Sequence, residues 1–258
     1  MTGLLKRRAL LVAALPLSAQ AQDMDHGAWS ALLARHVRLL RGGQASQLDY
    51  TGLASERAAL QAYLAQLSAL PEVGFKAWPR NAQMAFLINA YNAFTAELIL
   101  TRHPQLKSIK ELGNLLLSPW KRRWVPLLGA TLSLDEIKHE RLRPLFQDAR
   151  IHFAVNCASI GCPMLREEAF TAERLAAQLD QQLQRFLSDR TRNRVEDGVL
   201  RVSKIFDWYG EDFRPSPAAW LAAQARWLTE DPAQQAAIAA QRLPLRFLDY
   251  DWRLNDRL

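Results

Sequence analysis

The sequence has only two cysteines in 258 residues, Cys157 and Cys162. Two cysteines cannot build a scaffold held by many disulfides, so that class of small secreted protein is excluded. Internal repeats and low-complexity linkers are also absent from the sequence, so nothing in it marks repeated units or separate domains. A chain of this length instead suits one large domain with its own hydrophobic core.

No hydrophobic run is long enough to cross a bilayer, which takes about 20 apolar residues. The N-terminal run, residues 9–17 (ALLVAALPL), follows the basic residues 6–8 (KRR) and precedes residues 19–21 (AQA). This layout is typical of a secretory signal peptide that is cleaved after Ala21, and it predicts a periplasmic protein. Both the general secretory route and twin-arginine export stay open, with the first favoured.

The sequence also has only a small excess of positive over negative charge. The predicted leader contains three of the 33 Lys and Arg and none of the 26 Asp and Glu, so the mature chain carries a net charge of about +4. The excess is scattered, and its densest patch is residues 121–123 (KRR). Such a pattern is typical of a solvated surface and predicts no nucleic-acid partner.

Apolar residues recur with helical spacing over residues 29–40, 52–70 and 81–101. The third of these helices is apolar on most of its circumference, which predicts burial on several sides. Asn89 and Asn92 lie three positions apart on one of its faces. A buried amide without partners costs a few kcal/mol, so we expect both side chains to be buried and hydrogen-bonded.

The rest of the chain mixes helices and hairpins without a regular alternation. Helices are expected near residues 108–116, 134–142, 170–188, 218–228 and 232–242, hairpins turn at 129–130 and 197–198, and 151–157 (IHFAVNC) is interpreted as a buried strand. Ser133 and Glu136 have the spacing of a capping box. This predicts an α+β fold, a mainly helical single domain over residues 22–258 with a small, largely antiparallel sheet built from hairpins and one buried strand.

Five segments carry a family resemblance. They are residues 88–93 (INAYNA), 134–139 (LDEIKH), 150–163 (RIHFAVNCASIGCP), 203–209 (SKIFDWY) and 247–255 (FLDYDWRLN). Together they resemble the family known as domain of unknown function 547, with a family-like core over about residues 78–213. The resemblance covers nearly the whole mature chain and implies kinship and a shared fold. It brings no established activity.

The two cysteines allow four interpretations. They form a disulfide, whose short loop contributes only about 2 kcal/mol of stabilisation, so a redox or site-shaping role is also open. One of them is a nucleophile assisted by His152 or His139. Both bind a metal with these histidines, although the Cys-x4-Cys spacing is at the edge of what structural zinc sites use. In the fourth interpretation both cysteines are inert residues packed in the core.

Side chains alternate along a strand, so His152 and Asn156 are expected on one face and Cys157 on the other. A direct Cys157–His152 pair then needs a bulge in the strand. We interpret the aromatic segments 207–209 and 249–252 as packing, the second as the tail of the chain docking on the domain.

Two hypotheses for function follow. The first is a thiol/His-dependent hydrolase or acyl or amide transferase acting on an envelope substrate, in which His152 is the base, a cysteine is the nucleophile, and asparagines orient groups or hold an oxyanion. It needs no metal and no cofactor. The alternative is a non-catalytic binding or assembly domain with a structural disulfide. The candidate catalytic residues are Cys157, Cys162, His152, Asn156, Asn89 and Asn92.

Export predicts that the mature protein begins at Gln22, because the basic, apolar and small-residue regions of a signal peptide occur in order before that position. N-terminal sequencing of the protein from a periplasmic fraction checks this. Periplasmic material that still begins at Met1 contradicts it.

Overall fold

The computed structural model describes residues 23–114 and 117–257, and the predicted leader and its cleavage site lie outside them. The helices are α1 Gly27–His36, α2 Tyr50–Ser55, α3 Arg57–Ala69, α4 Glu72–Lys76, α5 Arg80–Leu100, α6 Arg143–Phe146, α7 Ile151–Ala154, α8 Leu175–Ser188, α9 Ile205–Trp208, α10 Pro217–Ala222, α11 Ala225–Leu228 and α12 Pro232–Ala239. A π-helix, Glu136–Leu142, leads into α6. Short 3₁₀ turns span Arg41–Gly43, Ile109–Leu112 and Gly210–Asp212.

The strands are β1 Val37–Leu40, β2 Ala45–Leu48, β3 Val125–Leu127, β4 Ala130–Leu132, β5 Arg194–Glu196, β6 Val199–Val202 and β7 Leu245–Phe247. Hairpins pair β1 with β2, β3 with β4 and β5 with β6, and β7 adds to β6 in parallel. The mainly helical α+β class is confirmed. The expected single sheet is instead three separate small sheets within the described residues.

Helix α5 forms the centre of the domain. Its residues from 82 to 100 are all buried, because apolar side chains surround it and α2, α3 and the π-helix pack against it. The predicted burial on several sides is therefore confirmed. Within residues 23–114 and 117–257, none of the helices combines the length and apolar character that crossing a bilayer requires.

Both asparagines of α5 are buried, and each binds the backbone of another segment. The Asn89 amide donates to the Phe170 carbonyl at 2.8 Å and its oxygen accepts from the Phe170 N–H at 3.0 Å. The Asn92 amide donates to the Ala154 carbonyl at 2.9 Å and its oxygen accepts from the Asn156 N–H at 2.8 Å. The predicted burial and hydrogen bonding are confirmed, and both side chains act as clamps on the backbone.

The interpretation of residues 151–157 as a strand is wrong. Ile151–Ala154 forms one helical turn, and extended backbone begins at Val155. A short apolar run does not distinguish a strand from a buried helical turn by its periodicity. Here side chains bind the backbone that a neighbouring strand would otherwise bind, since Asn92 holds both sides of Val155 and Gln182 donates to the Phe153 carbonyl at 3.1 Å.

The first predicted helix is too long at its C-terminal end. Helix α1 stops at His36, and residues 37–40 form strand β1. The chain reverses through Gly42 and Gly43, whose φ angles of 63° and 89° are positive and suit glycine. This turn allows β1 to pair with β2, so residues 37–40 form a strand where the apolar pattern predicted a further helical turn. The capping box is present, with the Ser133 hydroxyl accepting from the Glu136 N–H at 3.0 Å.

The interior is divided into two hydrophobic clusters. The first surrounds α5, and the second is built mainly from α8 to α12. Helix α7 connects them, because Ile151 and Ala154 belong to the first cluster and Phe153 to the second. The segment that follows α7 therefore begins where the two clusters meet, and most of its residues up to 163 are buried.

Replacing Asn92 with Leu should lower the free energy of unfolding by about 2–4 kcal/mol, because two buried backbone groups lose their partners. Chemical denaturation of both proteins measures the difference. The matched control is Asn81→Leu at the start of the same helix, where water replaces the lost partners of an exposed side chain. Equal losses in the two variants would contradict the clamp.

Candidate functional site

A cleft of about 230 Å³ opens beside residues 155–163, and four of these residues line it. The π-helix, α7, α9 and the tail of the chain form its walls, and aromatic side chains dominate its surface. Its lining comprises Tyr91, Ser118, Trp120, Asp135, Lys138, His139, His152, Val155, Cys157, Cys162, Pro163, Ile205, Trp208, Tyr209, Tyr250 and Trp252. The cleft therefore joins both cysteines and two histidines.

Cys157 and Cys162 form a disulfide, and their α-carbons are 6.1 Å apart. The chain turns sharply between them because Ala158 has a positive φ of 61° and its N–H donates to the Asn156 side chain at 2.8 Å. The Cys162 N–H closes the turn by donating to the Ser159 carbonyl at 3.0 Å. Of the four interpretations of the cysteines, the disulfide is the one that the structure contains.

The tail of the chain lies against this loop. Gly161 and Ile160 donate backbone hydrogen bonds to the carbonyls of Asp251 and Arg253, each at 2.8 Å. A β-carbon on Gly161 would lie 3.0 Å from the Asp251 backbone, which is closer than most β-carbon contacts, so a larger residue would push the tail slightly away. The contact brings Tyr250 and Trp252 into the cleft, which agrees with the docking expected for this segment.

The Tyr250 hydroxyl lies against both sulfurs. It donates to Cys162 Sγ at 3.2 Å and is also 3.2 Å from Cys157 Sγ. The Ser159 hydroxyl donates to it at 3.4 Å. Burial raises the pKa of Tyr250, so the phenol keeps its proton at neutral pH and remains a hydrogen-bond donor at the disulfide.

His152 and Asp212 form the second polar feature of the site. His152 Nε2 lies 2.6 Å from Asp212 Oδ2, and Arg143 Nε donates to the same oxygen at 2.6 Å. His152 is only 2% exposed and its ring stacks on Tyr209 with the centroids 4.3 Å apart. Its other nitrogen, Nδ1, is buried and has no hydrogen-bond partner among the described residues.

The charges of this pair follow from its surroundings. Burial lowers the pKa of His152 to about 4, and the nearby cations of Lys138 and Arg143 act in the same direction. Burial raises the pKa of Asp212, but hydrogen bonds from His152 and Arg143 outweigh it and hold that pKa well below its ordinary value. At neutral pH a neutral imidazole therefore donates through Nε2 to an ionised carboxylate, and Nδ1 is left as a base.

His139 and Lys138 complete the wall beside this pair. Arg143 donates to His139 Nδ1 at 3.1 Å, and burial lowers the pKa of His139 to about 4. The Lys138 ammonium lies over the Tyr209 ring, 4.1 Å from its centroid. Tyr209 thus separates a cation on one side from the His152 ring that it stacks on.

A wider groove of about 1350 Å³ adjoins the cleft. His139 lines both cavities, and Arg143 and Asp212 line the groove while they contact the histidines of the cleft. The groove also contains Arg150 and Asp180, so it carries charges of both signs. The Asp212–His152 pair therefore connects a small aromatic cleft with a larger polar surface.

The predicted site residues divide into two groups. Cys157, Cys162 and His152 line the cleft together. The strand alternation from which His152 and Cys157 were expected to face apart is absent, because Ile151–Ala154 is a helical turn. The asparagines do not line it. Asn89 and Asn92 bind backbone, and the Asn156 amide donates to the Pro163 carbonyl at 2.8 Å, so their predicted place in a polar pocket is corrected.

Sequence reasoning missed Asp212, Arg143 and Tyr250. Asp212 is 60 residues from His152, and no local pattern marks the pair. The sequence assigns Tyr250 to packing, although it lies between two acids in the terminal segment that shares the family resemblance. No group of three or more His, Cys, Asp or Glu side chains that could hold a metal ion occurs in the described ranges.

The lowered pKa of His152 predicts a pH-dependent stability. His152 takes up a proton near pH 6.5 in the unfolded chain but only near pH 4 in the folded chain. The free energy of unfolding therefore has its full contribution from His152 above pH 6.5 and decreases as the pH falls from 6.5 to 4. His152→Gln should reduce the slope of unfolding free energy against pH by up to about 1.4 kcal/mol per pH unit. Urea denaturation between pH 4.5 and 7 measures it, and an unchanged slope contradicts the assignment.

Comparison with known proteins gives one result. Residues 75–187 match the model of the family described as "Protein of unknown function, DUF547". No curated protein and no protein of solved structure matches the chain. The matched range includes His152 and both cysteines, whereas Asp212 and Tyr250 lie beyond it. Residues 75–187, which contain α5, α7 and the disulfide loop, therefore support the resemblance of this chain to the DUF547 family.

Proposed function

We propose that this protein is a thiol/His-dependent hydrolase or acyl or amide transferase that acts on an envelope substrate. The observation that carries the proposal is the Asp212–His152 pair, whose buried Nδ1 has no partner among the described residues, in the same cleft as Cys157. Nucleophilic acyl transfer uses a carboxylate that orients a neutral histidine toward a nucleophile, and here Asp212 orients a histidine that lines the same cleft as Cys157.

The reacting form in this proposal has the two cysteines reduced. The Cys157 thiol gives its proton to His152 Nδ1, and its sulfur forms a thioester with the acyl carbon of the substrate. The bond to the leaving alcohol or amine breaks, and His152 returns the proton to that group. Water or a second amine then attacks the thioester and releases Cys157. Asp212 holds the imidazole through Nε2 in both steps.

Tyr250 supplies a donor for the negative charge that develops on the acyl oxygen. Its hydroxyl is 3.2 Å from Cys157 Sγ, and burial raises its pKa, so it stays protonated. A donor placed beside the nucleophile before the reaction stabilises an oxyanion without reorganisation. This role belongs to Tyr250 in place of the asparagines, which bind backbone.

The substrate class follows from the two cavities and the leader. The aromatic cleft has room for a small acyl group, and the adjoining groove offers a polar surface for the rest of a larger molecule. The N-terminal residues have the order of a signal peptide, and we propose that the protein is exported and meets its substrate in the envelope.

A specific observation favours a second candidate function. The cysteines are bonded and His152 is 2% exposed, as expected of a binding or assembly domain whose disulfide and buried histidine only maintain the structure. In that case a freed Cys157 has no more reactivity than an ordinary thiol of its exposure.

A pair of serine variants separates the two functions. Cys162→Ser leaves Cys157 as the only cysteine, and Cys157→Ser leaves Cys162. With p-nitrophenyl acetate at pH 7, we expect Cys162→Ser to be acetylated about 100-fold faster than Cys157→Ser. Adding His152→Gln to Cys162→Ser should slow acetylation about 100-fold, which is within the usual range for the loss of a general base. Release of nitrophenolate and the mass of the intact protein measure both rates.

The control is His26→Gln in the Cys162→Ser background. His26 is also a buried histidine, hydrogen-bonded to Tyr63 at 2.7 Å, but it does not line the cleft. Its loss should leave the acetylation rate unchanged. Equal rates for the two serine variants, or no effect of His152→Gln, would overturn the enzyme and favour the binding domain.

A further inference from the structure

We propose that the Cys157–Cys162 disulfide is a thiol–disulfide exchange site for a cysteine-type thiol, in which Cys157 is the attacked sulfur and Cys162 is the departing thiolate. This activity is separate from acyl transfer, because it uses the bonded form of the cysteines and does not involve the Asp212–His152 pair. Four features of the structure support it.

The two sulfurs differ in access. Cys157 is half-buried, whereas Cys162 is 3% exposed, and both line the cleft. An incoming thiolate must approach one sulfur along the axis of the disulfide, and access decides which sulfur it reaches. The more exposed Cys157 is therefore the electrophile.

The hydrogen bonds favour the same direction. Cys162 Sγ accepts from the Cys157 N–H at 2.8 Å, a backbone donor that cannot turn away, and from the Tyr250 hydroxyl at 3.2 Å. Cys157 Sγ lies 3.1 Å from the Ser159 hydroxyl and 3.2 Å from the Tyr250 hydroxyl, and both of these hydroxyls can rotate. The fixed backbone donor therefore favours negative charge on Cys162, and Tyr250 adds to it when Cys162 leaves. Thiol–disulfide exchange is faster when the leaving sulfur is a better stabilised thiolate.

Stability alone gives little reason for this disulfide. A five-residue separation closes a short loop, so the bond removes little entropy from the unfolded chain. The same loop is already held by Asn156, which binds Ala158 and Pro163, and by the tail at Ile160 and Gly161. A reactive role explains why the bond lies in an open cleft.

The cleft suits a cysteine side chain with short flanking groups. Its volume of about 230 Å³ is below the range of pockets that enclose drug-sized ligands. Trp208, which is 42% exposed, forms part of its rim, with its ring centroid 4.8 Å from that of Tyr250. A thiol on a small molecule or on an extended peptide fits this entrance.

The reaction balances as a two-electron transfer. The incoming thiolate forms a bond to Cys157 Sγ, the Cys157–Cys162 bond breaks, and Cys162 leaves as a thiolate that takes up a proton. A second thiol attacks the mixed disulfide on the sulfur of the incoming molecule. Cys157 leaves as the second thiolate, two thiols are oxidised to one disulfide, and the protein disulfide is reduced to two thiols.

The test uses the wild-type protein in its disulfide form. It is incubated with glutathione, or in a second arm with a short peptide that contains one cysteine, then quenched with acid and examined by fragment mass spectrometry. We expect the mixed disulfide on Cys157 in at least about tenfold excess over Cys162. The arm that reacts faster identifies the better source of the thiol.

Tyr250→Phe tests the leaving-group contact. Loss of the hydroxyl should slow opening of the disulfide by glutathione about tenfold, the scale of one hydrogen bond to a charged group. The control is Tyr63→Phe, which removes a buried hydroxyl that is hydrogen-bonded to His26 outside the cleft and should leave the opening rate unchanged. Melting curves show whether each variant is folded.

Two results would overturn the proposal. One is a mixed disulfide that forms mainly on Cys162. The other is a disulfide that millimolar glutathione opens only after the protein is unfolded. Neither result bears on acetylation of the serine variants, so failure of the exchange site is distinguishable from failure of the proposed enzyme.

Discussion

The contact between the Asn92 carboxamide and the backbone on both sides of Val155 determines the geometry of the site. It satisfies the Ala154 carbonyl and the Asn156 N–H, two buried groups that have no strand beside them. Because the amide sits on the most buried helix of the domain, the end of α7 is fixed to a rigid element. His152 lies just before this point and Cys157 just after it, so both reach one cleft.

Much of this arrangement was predictable from local patterns. An apolar helix with two amides on one face implies buried clamps, and two lone cysteines near each other favour a disulfide. The asparagines were nevertheless assigned to the chemistry, because a buried amide that binds backbone and one that binds substrate look alike in a sequence. The partners of His152 and of the sulfurs were not predictable. Asp212 and Tyr250 are 60 and 93 residues from the groups they contact, and such distant contacts leave no periodic trace.

The electrostatics of the cleft depend on where its charges are placed. Asp212 accepts from both His152 and Arg143, so its negative charge is held at one end of the imidazole. Lys138 lies across the Tyr209 ring from that imidazole, and its positive charge disfavours a second cation nearby. The histidine therefore stays neutral although a carboxylate touches it. A neutral, oriented imidazole is suited to accept a proton, which a permanently protonated one is not.

The two proposed activities meet at Cys157. As the exposed half of the disulfide it is the atom that an incoming thiol attacks, and as a free thiol it is the atom that His152 activates. Exchange with a thiol converts the first form into the second without moving α7 or the tail, because Asn92 and Gly161 hold the backbone on both sides of the loop independently of the sulfurs. The redox state of the surroundings would then decide whether the nucleophile is present. Tyr250 serves both forms, since one hydroxyl within 3.2 Å of each sulfur stabilises a leaving thiolate on Cys162 or an oxyanion beside Cys157.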